Sequence, residues 1–225
     1  MFLQGTYFNR EWIMKVKFEL VGSTPLLMKQ CSVDESDRLE AWRKDPANKG
    51  QSKAGDDRTP AWTWQTCLYS DGSKVVMPAD NLMACLRKAG AQMILKGKKT
   101  FKEASQSGIL IPEEFMTFKC RGEEISMSEI LALRDLTYQE QAERVQKLGF
   151  RLFCKRATIG QAKHIRVRPR FEVWSVEGTL NVMSADITKE VLKTMFDIAG
   201  TVGLGDWRPG GKTPGAYGMF TVRLS

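Results

Sequence analysis

The chain has 225 residues, 42% of them hydrophobic, enough for a sizeable core in one large domain or one domain with insertions. A formal net charge of +8 suits nucleic acid or another anionic surface as partner, and from charge alone suits a soluble basic protein that meets no polyanion equally well. Five scattered cysteines without a C-x-x-C pair suit neither a zinc site nor a disulfide framework and read as reduced cytoplasmic thiols; no apolar run reaches roughly 18 residues, and residues 1–12 lack the form of a signal peptide.

In chain order, Val16, Phe18 and Leu20 alternate with Lys15, Lys17 and Glu19, which predicts a half-buried strand closed by Gly22-Ser23-Thr24-Pro25, with residues 26–28 extending its edge. From 30 to 71 the pattern dissolves. Acids and arginines around Leu39 and Trp42 suggest a turn or two of polar helix, and 44–60 reads as a long surface loop or insertion. Trp62 and Trp64 flank Thr63 and predict a short strand through Leu68. Asp71-Gly72 marks a hairpin ahead of 74–77, and a helix follows with Leu82, Leu86, Ala89 and Met93 at helical spacing and Arg87 and Lys88 near its polar face. Lys96, Lys98, Lys99 and Lys102 then make a basic turn.

Residues 109–111 and 115–119 read as short strands, and 126–136 and 137–148 as helical segments. Ser128 is the expected cap of the first; Thr137 and Glu140 have capping-box spacing for the second. Between Phe150 and Phe171 there are seven lysines and arginines together with His164, and no acid, the strongest charge asymmetry in the chain. Residues 171–182 read as two strands around Glu177-Gly178. Thr188 caps the next helix, Ile187 can staple onto Leu192, and Gly200 is the expected stop. A glycine-rich stretch holding Trp207, Arg208, Lys212 and Tyr217 leads to an alternating strand of Phe220, Val222 and Leu224. This order predicts an α+β fold: a ferredoxin-like (RRM-type) antiparallel sheet with helices on one side, its first and last strands side by side.

Two nucleotide-binding readings of the glycine-rich stretch fail. Gly203-Leu204-Gly205 follows a helix and precedes a strand, the reverse of a dinucleotide fingerprint. Gly211-Lys212-Thr213 lacks the glycine a P-loop needs five residues earlier, and Pro214-Gly215 blocks the following helix. Trp207 suits a stacking platform as well as a core position, whereas Arg208 and Lys212 suit phosphate contacts. His164, the single histidine, lies in the basic run, where it serves as a base contact, a solvated side chain or a general acid or base. Asp34 leads an acidic cluster that reads as a solvated helix start or as a Mg²⁺ site beside a phosphodiester. No cofactor and no metal site are expected.

Four stretches carry a family resemblance: residues 16–27; Met77-Pro78-Ala79-Asp80-Asn81-Leu82-Met83-Ala84-Cys85-Leu86-Arg87; residues 168–176; and residues 199–222, in all about a third of the chain. They resemble, in order, the first strand with its Thr-Pro-Leu, the I-P-G-S-S-L-x-G-x-L-R segment, a second-half strand and the C-terminal glycine-rich loop of the RAMP superfamily of CRISPR-associated proteins. The similarity is greatest to the backbone subunits that polymerise along a guide RNA. Ala79-Asp80 departs from the family's small Gly/Ser pair. The ending Gly203-Leu204-Gly205-Asp206-Trp207-Arg208-Pro209 also resembles phage-encoded proteins, for which only the fold is implied.

The resemblance implies one domain over 1–225, with thumb and finger insertions at about 30–74 and 96–165. It implies binding of single-stranded RNA without base specificity, in a head-to-tail oligomer of copies or with other effector-complex subunits. In some such subunits an Asp on the loop after the first strand cuts RNA, and Asp34 is the nearest match. The expected contacts are Arg166, Arg168, Arg170, Arg208 and Lys212 on phosphates, Trp207 and Tyr217 by stacking, and Arg87 in addition. The alternatives are an endoribonuclease using His164, a phage single-stranded DNA-binding protein, and a decoy inhibitor of a host effector complex.

Overall fold

The computed structural model describes residues 14–30, 33–51, 55–159 and 162–225. The stretch 1–12 and Cys31, read above from sequence, lie outside the described residues. In chain order the elements are β1 (Met14–Gly22), β2 (Leu26–Leu27), α1 (Val33–Lys44), β3 (Val76–Pro78), α2 (Ala79–Gln92), β4 (Ile94–Lys96) and β5 (Lys99–Thr100). There follow α3 (Lys102–Ser107), β6 (Ile109–Leu110), β7 (Phe115–Cys120), α4 (Met127–Leu131) and α5 (Tyr138–Lys147). The chain closes with β8 (Arg151–Ile159), β9 (Ala162–Phe171), β10 (Trp174–Val182), α6 (Lys189–Val202) and β11 (Phe220–Leu224).

The main sheet is antiparallel in the order β11-β1-β10-β7-β3, with β6 on the same edge of β10 as β7. The alternation in β1 is realised. Val16, Phe18 and Leu20 are buried, while Lys15 and Lys17 are exposed. On the buried side Phe18 meets Phe196 of α6 at 5.6 Å between ring centres, and α2 packs beside α6. The first and last strands pair from Phe18↔Leu224 to Gly22↔Phe220, as expected from the sequence. A second sheet, β2-β9-β8, carries the long β8–β9 hairpin. Among the described residues no helix is long and apolar enough to cross a membrane.

Several local expectations are corrected. Residues 171–182 are not two strands about Glu177-Gly178, because β10 runs straight through that pair. Gly178 lies opposite Phe18, and a Cβ there would stand 2.7 Å from the Phe18 ring. The glycine therefore makes room for a core side chain in mid-strand instead of turning the chain. Gly200 does not end α6. It is buried where a Cβ would meet the Phe220 carbonyl at 2.1 Å, and the helix runs on to Val202 and is capped by Gly203, whose φ is +77°.

Residues 61–67 form a 3-10 helix, not a strand. Trp62, Thr63, Trp64 and Gln65 are all buried in succession, a pattern no alternating strand yields, and Trp64 Nε1 donates to Gln141 Oε1 at 2.6 Å. Ser126, not Ser128, caps α4, whereas the Thr137–Glu140 capping box of α5 is present in full. The stretch 44–60 is more than a surface loop. The Ile165 N–H donates to the Gly55 carbonyl at 2.8 Å and the Asp57 N–H to the Ile165 carbonyl at 3.0 Å, which anchors 55–57 on β9. The expected insertion at 96–165 also contains β7, a strand of the main sheet.

Candidate nucleic-acid interface

One wall of the site is the β8–β9 hairpin. Its register sets Arg151, Phe153, Lys155 and Ala157 opposite Arg170, Arg168, Arg166 and His164, on one face of the ladder. Like charges directly opposite are destabilising, and this face has two such pairs, Arg151–Arg170 and Lys155–Arg166. The relief comes from outside the run. Asp57 accepts from Arg166 at 2.7 Å and from Arg168 at 3.2 Å, Asp206 accepts from Arg168 at 3.1 Å, and Glu172 lies 2.8 Å from Arg151 and 2.9 Å from Arg170.

The other wall is the glycine-rich loop. It is pinned to the β1–β2 region by two backbone bonds of 2.8 Å, Asp206 N–H to the Leu27 carbonyl and Gly218 N–H to the Pro25 carbonyl, and a third of the same length, Leu204 N–H to the Gly218 carbonyl, closes the loop on itself. Gly205, at φ +73°, is required here, since a Cβ would fall 2.2 Å from the Leu27 carbonyl oxygen. Trp207 follows with φ +48°, a left-handed conformation that costs a bulky side chain about 1–2 kcal/mol. The surroundings impose it. A Cβ on Gly215 would lie 2.3 Å from the Trp207 carbonyl, and the Tyr217 N–H points at that same oxygen at 3.4 Å.

Between the walls lies a groove of about 510 Å³. Seven basic side chains and one acid, Asp206, line it, so the cavity stays strongly positive despite the internal ion pairs. Trp207 forms part of the lining and is half-buried outside the main core. Its ring meets Phe153 edge-on at 6.3 Å, and Lys155 Nζ stands 4.7 Å over the ring centre. The groove is therefore where the two most informative stretches of sequence meet.

The expected contact residues divide. Arg166, Arg208 and Lys212 line the groove, Lys212 exposed and Arg166 half-buried against Asp57. Arg208 Nη1 curls back to donate to the Gly205 carbonyl at 2.6 Å. Arg168 also lines the groove, but its guanidinium is already engaged within the protein. Its side chain is only 7% exposed, and its donors go to Asp57, Asp206 and the Val167 carbonyl. Burial lowers its pKa, but neighbouring Cys67, Asp206 and Asp57 outweigh that and hold the guanidinium above the ordinary arginine range.

Arg170 and Tyr217 lie outside the groove lining, grouped around the Phe153 ring at 5.3 and 5.8 Å. Arg87 is exposed on α2 and does not line the groove; its neighbour Lys88 donates to the Gly210 carbonyl instead. His164 also stays out of the lining. Its ring packs on Gly55, and its buried Nδ1 makes no hydrogen bond among the described residues. Asp34 is in the first turn of α1, not on a loop, and lines a separate cavity with Glu35, Arg38 and Arg134. Among the described residues no three His, Cys, Asp or Glu side chains gather as metal ligands.

Lys29, just beyond β2, was missed by the sequence reading, since an isolated lysine after a short apolar run carries no signal. Asp57 was missed too, because its partners lie over a hundred positions away. Compared with models of known families and with curated proteins, the sequence matches neither.

Proposed function

We propose that this chain is a RAMP-type, ferredoxin-like protein that binds single-stranded RNA without base specificity in the groove between β8–β9 and the glycine-rich loop. It acts as a backbone subunit, with copies of itself and other effector-complex subunits as partners. The topology supports the fold assignment: β1, α2, β7, β10, α6 and β11 read strand-helix-strand-strand-helix-strand, with sheet order β11-β1-β10-β7.

The observation that carries the binding reading is a comparison of two cavities. The open face of the main sheet holds one of about 520 Å³, lined by Lys17 and Arg223 but also by Glu19 and Glu177. Its charges balance, and two of them pair as Arg223–Glu19 at 3.0 Å. The groove has nearly the same volume but an excess of cations and the Trp207 ring, a combination suited to tracking a phosphate backbone and stacking a base. His164, packed on Gly55 and absent from the groove lining, favours a binder over a nuclease.

The test is fluorescence anisotropy with a labelled oligouridylate across a salt series, with unlabelled single-stranded DNA as competitor. Binding should weaken steeply with salt, and RNA should outcompete DNA. Salt-insensitive binding, or none, overturns the reading; preference for DNA moves it to the phage single-stranded DNA-binding class. Native particle mass in the presence of RNA tests assembly.

A further inference from the structure

The groove cations are held in different ways. Arg166 and Arg168 are held by Asp57 and Asp206, and Arg208 is held by the Gly205 carbonyl. Lys155 is exposed, and among the described residues no carboxylate lies within ion-pair distance of it. What its ammonium does meet is the Trp207 ring, 4.7 Å from the centroid. That ring is fixed by a left-handed backbone, by Gly215 beneath its carbonyl and by Phe153 at its edge. A rigid aromatic surface is thus covered by the most mobile kind of cation, a lysine on a four-carbon stem.

We propose that Lys155 is a displaceable cover on Trp207 that makes base stacking depend on an adjacent phosphate, so that the site selects nucleotide units over either part alone. The inference rests on the nucleic-acid reading of the groove. A ligand carrying both groups gives Lys155 a phosphate in place of the ring and lays a base on the face that the lysine vacates. A neutral nucleoside must displace the ammonium without replacing its attraction to the ring. A phosphate chain without bases draws Lys155 away and leaves the indole with nothing on it. Lys155 is therefore a specificity-determining residue, and Trp207 is the surface it guards.

Three probes test this: a labelled oligouridylate of about twelve nucleotides, an abasic phosphodiester of the same length, and adenosine as competitor. They are applied to the full chain and to its Lys155→Met, Lys155→Arg and Trp207→Leu variants. The native chain should favour the intact oligomer at least about fivefold over the abasic one, and Trp207→Leu should erase that preference. With Lys155→Met, affinity for both oligomers should fall by a similar factor, the preference for the intact one should stay as it is, and adenosine should compete about two- to fivefold better. Lys155→Arg, which keeps a cation over the ring, should resemble the native chain. If Lys155→Met weakens the oligomers but leaves adenosine unchanged, Lys155 is an ordinary phosphate contact and the inference is wrong. If the native chain binds both oligomers alike, the inference falls while the nucleic-acid reading stands. If it binds neither, both fall together.

Discussion

Arg168 Nε donates to Asp206 at 3.1 Å while the Asp206 N–H donates to the Leu27 carbonyl at 2.8 Å, so β9, the glycine-rich loop and β2 meet at one buried ion pair. With Asp57 on the other side of the guanidinium, the same side chain also fixes the segment before the 3-10 helix. Arg168→Ala takes the guanidinium from Asp206 and leaves Asp57 with Arg166 alone, and should cost about 3 kcal/mol, the low end for breaking a buried pair. Urea unfolding reads this directly. A variant that keeps its stability and loses only RNA affinity would return Arg168 to the set of ligand contacts.

Lys29 and Lys212 project into the groove from opposite segments, and neither has an ion-pair partner among the described residues. Lys29→Ala and Lys212→Ala should leave thermal unfolding unchanged and weaken RNA binding. Each should reduce the slope of log affinity against log salt by about 0.7, the value for one phosphate on a single strand. Lys17→Ala, on the charge-balanced open face of the sheet, should change neither slope nor affinity.

Two glycines with positive φ make opposite predictions. Gly205→Ala forces a Cβ to within 2.2 Å of the Leu27 carbonyl, so the loop must leave β2, and both stability and RNA affinity should drop together. At Gly72 the φ is +95° but nothing lies within 4 Å, so Gly72→Ala should cost only the backbone term, about 1–2 kcal/mol. Denaturant midpoints for the pair separate loop docking from backbone strain.

The buried thiols give a pH signature. Cys85 donates to the Gly203 carbonyl at 2.9 Å, and burial pushes its pKa up to about 11 from an ordinary 9.0. Because the folded value is the higher one, this thiol's contribution to stability is intact below pH 9 and is lost as pH rises towards 11, at about 1.4 kcal/mol per unit. Unfolding free energies measured from neutral pH to pH 11 should show that decline, and Cys85→Ser should make it shallower, the remainder coming from Cys120, which burial also pushes up to about 11. Among the described cysteines, exposed Cys154 should be alkylated first in the native state and Cys67, Cys85 and Cys120 only on unfolding.

The elements that the sequence made legible are those specified by local chemistry. Alternation revealed β1 and β11, the Thr137–Glu140 spacing revealed the start of α5, and Thr188 revealed the start of α6. Where a residue answers to a distant neighbour, local rules misled. Gly178 looks like a turn until Phe18 is placed opposite it, and Gly200 looks like a stop until the Phe220 carbonyl is seen against it. The site followed the same division. Charge asymmetry and glycine density located both walls, but chain order alone did not show that Asp57 and Asp206 would claim Arg168, or that Lys88 instead of Arg87 would reach the loop.

The pinning of the glycine-rich loop to Leu27 and Pro25 also fixes when the groove comes into being. Residues 205–213 are made after every other segment that lines it, and they close on strands completed early in synthesis. A nascent chain that has emerged only as far as α6 has the basic hairpin but no opposing wall, and Arg168 still lacks Asp206. The RNA binding proposed for this groove therefore has to wait until residues 205–213 have been made and docked.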